Sequence, residues 1–234
     1  MPILAGTHPG LKQDACRLPA HALWFRRRLL AWYARHGRRL PWRGVADPYA
    51  VLVSEIMLQQ TQVARVTEFF PRFLARYPTL EELAAAPSDA VREAWDGLGY
   101  YARARNLHAA ARHVVDRLRG VLPERPGDLR RLPGIGRYTA GAVASIAFGA
   151  NVAALDTNAA RVLARVLGVR RTGGADRRHA RLWRLAEALA VRGRAGDWNQ
   201  ALMDLGATVC TARAPRCAAC PVRRSCATGR RRRG

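Results

Sequence analysis

Leu132-Pro133-Gly134-Ile135-Gly136-Arg137-Tyr138-Thr139-Ala140-Gly141 carries the turn on which the reading of the whole chain rests. Helical pattern flanks it, with a short stretch at Asp128–Arg131 before and a run from Tyr138 to Phe148 after. Two glycines one position apart let a helical hairpin bend sharply and bring backbone N–H groups to the surface at a helix N-terminus. Those amides and the helix dipole suit an anion, and without side chains at Gly134 and Gly136 a phosphate can come close. An ordinary tight helix–helix turn explains the same glycines equally well. The rest of the chain has to decide.

Outward from the hairpin, nearly everything reads as helix. Ala22, Phe25, Leu29, Leu30 and Tyr33 recur with a period near 3.6 and arginines opposite. Further helices are expected at Tyr49 to Gln60, Val63 to Arg76, Tyr101 to Leu118, Asp156 to Leu167, Asp176 to Ala190 and Trp198 to Val209. Gly120 and Pro123 end the Tyr101 helix. Thr79-x-x-Glu82 is a capping box, and Ser88 is a candidate cap for the next helix. No segment alternates convincingly with period two, so the fold class is all-α. There is no internal repeat. The one low-complexity tract, Arg230–Arg233, reads as a disordered tail that touches phosphate non-specifically.

Composition narrows the function. Forty Lys plus Arg against seventeen Asp plus Glu leave a net charge of +23, which suits a polyanion, nucleic acid foremost. A merely solvated basic surface is the bland alternative. Lys12 is the only lysine, so any chemistry needing a lysine amine has one candidate. The longest weakly polar run, Tyr138 to Leu155, is broken by glycines and Asn151 and does not read as a membrane span. Met1 to Ala20 has no charged-then-apolar order, so no signal peptide is expected. The expected location is the cytoplasm, at the nucleoid if the chain is bacterial.

Cys210, Cys217, Cys220 and Cys226 follow the spacing C-x6-C-x2-C-x5-C within 17 residues. Four thiols so close point to a metal centre. The spacing fits one [4Fe–4S] cube better than a zinc ribbon, which shows two separate C-x2-C knuckles. A structural zinc site and disulfides remain the alternatives. Cys16 lies outside the set. Arg213, Arg216, Arg223 and Arg224 interleave the thiols, so the loop reads as structural and DNA-binding rather than catalytic.

Two carboxyls stand out. From Tyr49 to Leu58 the only formally charged residue is Glu55, set among Val51, Leu52, Val53, Ile56, Met57 and Leu58. Desolvation there disfavours the anion and raises the pKa, which suits a general acid. Asp156 follows Val152-Ala153-Ala154-Leu155 where a helix begins, so a plain N-cap role competes with a functional one. For Glu55 the competing reading is an exposed helix glutamate.

These residues carry a resemblance. The hairpin, an aspartate about 20 residues on, and the cysteine loop together resemble the helix-hairpin-helix DNA glycosylases of the endonuclease III superfamily. Leu40-Pro41-Trp42-Arg43, Asp47-Pro48-Tyr49, Ser54 to Val63 and Gly97 to Leu107 look like the adenine DNA glycosylases, the MutY type. The resemblance spans roughly residues 22 to 226. It implies a six-helix domain at 43–151 and a second domain from 22–42 plus 152–226 bearing the [4Fe–4S] loop. A segment at 1–21 would precede them and a basic tail at 227–234 follow. The active site would lie between the two domains.

The resemblance also implies roles. Glu55 would protonate adenine at N7, while Asp156 stabilises the sugar cation or its covalent successor; glycosidases also pair two carboxyls. Asn158 would support them by hydrogen bonding, and Tyr138 and Arg43 match pocket positions. Gln59, Gln60 and Thr61 carry groups that can bond the base left behind, Gln60 and Thr61 meeting the orphaned guanine lesion. Tyr100 would wedge into the stack, with Tyr101 the more buried of the two. Gly134, Gly136 and Arg137 would hold phosphate. Arg103 and Arg105, two apart on one helix, face different ways, one toward Asp156 and the other toward phosphate.

Relatives that also cut the strand place a Schiff-base lysine where this chain has Tyr138, which implies a monofunctional enzyme. The implied partner is double-stranded DNA holding adenine opposite 8-oxoguanine or guanine, and the implied state is a monomer. Two departures weigh on this. Asp156-Thr157-Asn158 has threonine where many adenine glycosylases have glycine, and only eight residues follow Cys226, where many continue into a Nudix-like domain that reads 8-oxoguanine. Adenine excision is therefore the firmer expectation than strict 8-oxoguanine dependence. The rivals are a thymine or uracil mismatch glycosylase, against which Leu58-Gln59-Gln60-Thr61 counts, and a non-catalytic iron–sulfur DNA-binding protein, which needs neither carboxyl.

Overall fold

Asp47 starts the helix around which the first half of the molecule is built. Its side chain accepts hydrogen bonds from the backbone N–H groups of Tyr49 (3.0 Å) and Ala50 (3.3 Å), and Pro48 fills the first turn, where its missing N–H costs nothing. The resulting helix, α2 (Pro48–Met57), has every residue from Tyr49 to Met57 buried. A helix apolar all round belongs inside a core. In this computed structural model, residues 22–231 are described, 171 and 173 excepted, and among them every regular element is helical.

Against α2 pack α3 (Val63–Arg76), α6 (Ala102–Leu118) and α8 (Arg137–Ala147), while α4 (Leu80–Ala85) and α5 (Ser88–Ala94) lie on α6 and α7 (Pro126–Leu129) lies on α8. They share one core, running from Trp42 to Ala144, in which Phe73 and Trp95 meet edge to face. A second core joins α1 (Ala22–His36) to α9 (Thr157–Leu167), α10 (Ala175–Leu189) and α11 (Ala195–Thr208), with Trp198 against Phe25 at its centre. The chain thus visits the second core, leaves it for more than a hundred residues and returns.

The seam between the cores is made by backbone contact. A Cβ on Gly141 would sit 2.2 Å from the Ala153 carbonyl oxygen, and one on Gly196 would sit 2.6 Å from that of Ser145. Only glycine lets the 152–155 segment and α11 lie so close to α8. Asn199 then bonds Ser145 Oγ (2.9 Å) and the Val152 carbonyl (3.0 Å) across the seam.

Several boundaries differ from expectation. The α2 helix stops at Met57 rather than Gln60, because Gln60 takes a left-handed backbone (φ 55°) that a helix cannot continue. Ser88 is the first helical residue and Pro87 the cap, with no side-chain cap bond. The last long helix begins at Ala195, three residues before Trp198. Ala227–Arg231 form a short helix, α12, on α9, which takes in Arg230 and Arg231 of the tract expected to be disordered; Arg232 and Arg233 lie outside the described residues. The segment at 1–21, with Lys12 and Cys16, and residues 232–234 lie outside the described residues. No described helix is long and apolar enough to cross a membrane.

Candidate active site

Where α2 and α8 face α9 and α11, a cavity of about 690 Å³ opens to solvent. Glu55 and Asp156 both line it, as do Arg43, Tyr138, Asn158, Gln59, Gln60 and Thr61. Residues from Trp42 to Gln200 therefore converge on one cleft between the two cores.

Glu55 sits on the cleft side of α2, only 5% exposed, and its Oε2 has no hydrogen-bond partner. Burial pushes its carboxyl above the ordinary glutamate range. The Tyr138 hydroxyl and the Arg43 guanidinium oppose that rise, and Asp156 adds to it. Tyr138, in the first turn of α8, has its hydroxyl held well above the usual range by burial and by the charges of Glu55 and Asp156, so it stays protonated. Its oxygen lies 3.5 Å from Met203 Sδ.

Asp156 is the N-cap of α9, accepting the Ala159 N–H at 2.6 Å through Oδ1. Its Oδ2 accepts Asn158 Nδ2 at 2.9 Å. The bonds that start the helix also hold the Asp156 carboxyl at the cleft. The arrangement continues outward. Arg161 Nη2 donates to Asn158 Oδ1 (2.7 Å) and the Gly206 carbonyl (2.8 Å), while its Nε donates to the Cys210 carbonyl (2.9 Å). Close packing of α9 on α11 depends on Gly206, where a Cβ would meet Asn158 Cβ at 2.7 Å.

Arg43 is clamped by Tyr33 Oη (3.0 Å), Gln200 Oε1 and Asp204 Oδ1 (3.1 Å). Asp204 is fully buried and also takes three bonds from Arg38. Nothing in the sequence reading singled out Asp204; a lone acid at Met203-Asp204-Leu205, inside an apolar helix, was the available signal.

Arg103 corrects an expectation. It does not reach toward Asp156: its guanidinium is buried and bonds the carbonyls of Ile56, Met57, Gln59, Leu98 and Gly99. It staples the end of α2 to the 96–101 loop. Each of those segments holds a non-glycine residue in the left-handed region, Gln60 (φ 55°) and Tyr100 (φ 50°), a conformation that surroundings must over-determine. Tyr100 is 61% exposed at its loop tip and does not line the cleft, while Tyr101 is part-buried. Arg105 is exposed. Gln59 Nε2 is already bonded to Thr139 Oγ1 (3.3 Å), which leaves Gln60 the freer amide.

In the hairpin, Gly134 (φ 73°) has Asn106 so close that a Cβ would fall 2.6 Å from its Cβ. Gly136 caps α8 and no side chain occupies its N-terminus, so first-turn amides face outward. The Arg137 guanidinium lies over Trp183 (3.9 Å) and pairs with Glu187 at 2.5 Å. It braces the hairpin against α10 rather than hanging free.

Cys210, Cys217, Cys220 and Cys226 are free thiols lining one cavity with Val162, Val209 and Val222. No three His, Cys, Asp or Glu side chains among the described residues come close enough to hold a single metal ion. Four thiols ringing one cavity form a donor set that suits a thiolate-bound metal centre. Burial pushes the Cys220 thiol up to about 11. A polynuclear cation would reverse that. Donors to sulfur are in place: Arg165 Nη1 to Cys210 Sγ and the Gly229 N–H to Cys226 Sγ, both 3.3 Å.

Comparison with known proteins places this geometry. The HhH-GPD superfamily base excision DNA repair protein model matches residues 53–188. A human protein named adenine DNA glycosylase is 47% identical over 211 residues, covering 86% of this chain and 39% of that one. An adenine DNA glycosylase of Mycobacterium tuberculosis is 46% identical over 199 residues, covering 83% and 64%. The chain thus spans less than two thirds of these relatives. Among solved structures, a thermostable thymine-DNA glycosylase superposes with a TM-score of 0.83 at 31% identity, covering 90% of this chain and 97% of that one. A trapped endonuclease III–DNA covalent intermediate gives 0.75 at 23%, covering 93% and 100%, a likeness of fold alone. With the family model spanning more than half its length, the chain belongs to the HhH-GPD superfamily of base excision DNA repair proteins.

Proposed function

We propose that this chain flips adenine out of duplex DNA, from opposite 8-oxoguanine or guanine, and hydrolyses its N-glycosidic bond without cutting the strand. The observation that carries the reading is the buried Glu55 carboxyl, one oxygen of which has no partner, sharing one cleft with the doubly bonded Asp156 carboxylate. Breaking the bond asks for a proton on the leaving base and negative charge beside a cationic sugar. Glu55 supplies the first. Its burial favours the protonated form, and the side chain lines the cleft, where it would donate to adenine N7. Asp156 supplies the second, because bonds from Ala159 and Asn158 hold the anion.

Tyr138 stays a neutral hydroxyl, and among the described residues the cleft offers no lysine amine, so the sugar is released to water rather than trapped as a Schiff base. At the cleft, Gln60 and Thr61 stand where they can bond the widowed base, and exposed Tyr100, outside it, can enter the stack. The α8 N-terminus offers its amides to a backbone phosphate. Every group needed comes from one chain, which supports action as a monomer. Cys210, Cys217, Cys220 and Cys226 would hold a [4Fe–4S] cluster that supplies a rigid scaffold for the arginine-bearing loop. The relatives named adenine DNA glycosylase support the choice of base.

A second reading, thymine excision opposite guanine, draws on the likeness to the thymine-DNA glycosylase. One experiment separates them: duplexes bearing A·8-oxoG, A·G, T·G and U·G are incubated with the protein, then treated with alkali. Breaks at adenine alone are expected. Breaks confined to T·G or U·G would install the second reading, and no breaks with retained binding would leave a non-catalytic DNA-binding protein.

A further inference from the structure

Behind the 96–101 loop, α5 and α6 enclose a separate cavity of about 340 Å³, floored by alanines. Ser88 and Arg92 line it from α5, and Arg105, His108 and Arg112 from α6. The last three stand at i, i+3 and i+7, on one face, so two guanidiniums flank an imidazole along about 10 Å of helix. No carboxylate lines the seam. None of the three arginines enters an ion pair found among the described residues.

His108 makes the seam more than a basic patch. It is 7% exposed, and its Nε2 is shut off from water with no hydrogen-bond partner. Buried polar groups are almost always partnered, so an imidazole nitrogen with none, on a side chain that lines a cavity, marks the seam as incomplete. Arg92 is oriented by the Tyr101 ring, 5.6 Å from its guanidinium, and keeps its donors unspent. The seam therefore presents forked donors, an imidazole and a hydroxyl, with no acidic side chain to answer them.

We propose that this seam is a phosphate-binding site. A tetrahedral phosphoryl oxyanion has enough acceptor oxygens for separate guanidinium forks plus a ring N–H, whereas a single carboxylate would satisfy one fork. Two sources share that chemistry: the backbone of a duplex running past Tyr100, and a free phosphate. The site is independent of which base is excised.

The test has two arms on the full chain. Inorganic phosphate, titrated against chloride at constant ionic strength by calorimetry, should bind with a Kd on the order of millimolar. Arg112→Gln, an exposed change that spares the fold, should weaken it about tenfold, and His108→Gln should do the same. In the second arm, duplex affinity is measured against salt. If the backbone is the source, Arg112→Gln lowers the slope of log Kd against log salt by about 1, and Arg117→Gln, on the same helix outside the seam, does not. Phosphate binding lost with an unchanged slope assigns the site to free phosphate. No phosphate binding with an unchanged slope overturns the proposal, as does phosphate binding that survives both variants, or an equal drop in the Arg117 control.

Discussion

The two carboxyls of the cleft are the same functional group in opposite surroundings. Glu55 stands in a helix buried on every side, with an oxygen no neighbour satisfies. Asp156 stands at a helix N-terminus, where the Ala159 N–H and the Asn158 amide take up its charge. The first environment penalises the anion and holds its carboxyl above the ordinary range, while the second gives its carboxyl two hydrogen-bond donors within the same cleft. The division follows the cores. The first core isolates its carboxyl, while the second ties its carboxylate through Asn158 and Arg161 to the cysteine loop.

The sharpest way to break that contrast is Glu55→Gln. Without a proton to give, base release in single-turnover assays should fall about 10³-fold, while affinity for the same duplex changes only a few-fold. Full activity would remove Glu55 from the chemistry. Asp156→Asn comes next. Asparagine caps a helix as well as aspartate, so the melting temperature should hold within a degree or two while base release drops about 10²-fold. A matching loss of stability would reduce Asp156 to a cap.

Disrupting the cysteine loop tests the tether. Cys217→Ser, or treatment with a metal chelator, should weaken duplex binding about tenfold and cost C-terminal helicity by circular dichroism. Unchanged binding and helicity would separate the loop from the cleft.

The smallest effect concerns stability. The carboxyl of Glu55 is raised in the folded state above the 4.5 of an ordinary glutamate, so the folded protein holds a proton that the unfolded chain releases. Stability that depends on this proton is complete below about pH 4.5 and is lost progressively as pH rises toward the raised value. Glu55→Gln should therefore lift the melting temperature above pH 4.5 by about 2–4 °C, for roughly 1 kcal/mol, and flatten its dependence on pH there. No gain would mean that the buried acid carries no strain.

The hairpin, the apolar setting of Glu55 and the four cysteines were legible because each is local: a turn, a desolvated stretch and a spacing are properties of consecutive residues. Asp156 was half legible, since a cap and a catalytic carboxylate look alike until the side facing the cleft is known. Arg103 was misread because i, i+2 spacing says only that two side chains diverge. It cannot show five carbonyls converging from two distant segments. Asp204 was missed for the same reason, as its partners Arg38 and Arg43 lie more than 150 residues away. The end of α2 was overrun because an apolar, helix-compatible run does not reveal that Gln60 adopts φ 55°.

By itself, then, the order of residues determined an all-helical chain, a glycine hairpin fit for phosphate and a desolvated acid. Periodicity, glycine and apolar neighbours act over a few residues, and that range suffices for each. Only the tertiary structure decided that Glu55 and Asp156 share a cleft and that Arg103 braces loops instead of touching substrate. It also left His108 facing an unanswered seam. Those outcomes depend on close approach of distant backbones at Gly141, Gly196 and Gly206, and on which buried polar atoms find partners there. Such pairings are fixed by packing in three dimensions, which no window of sequence contains.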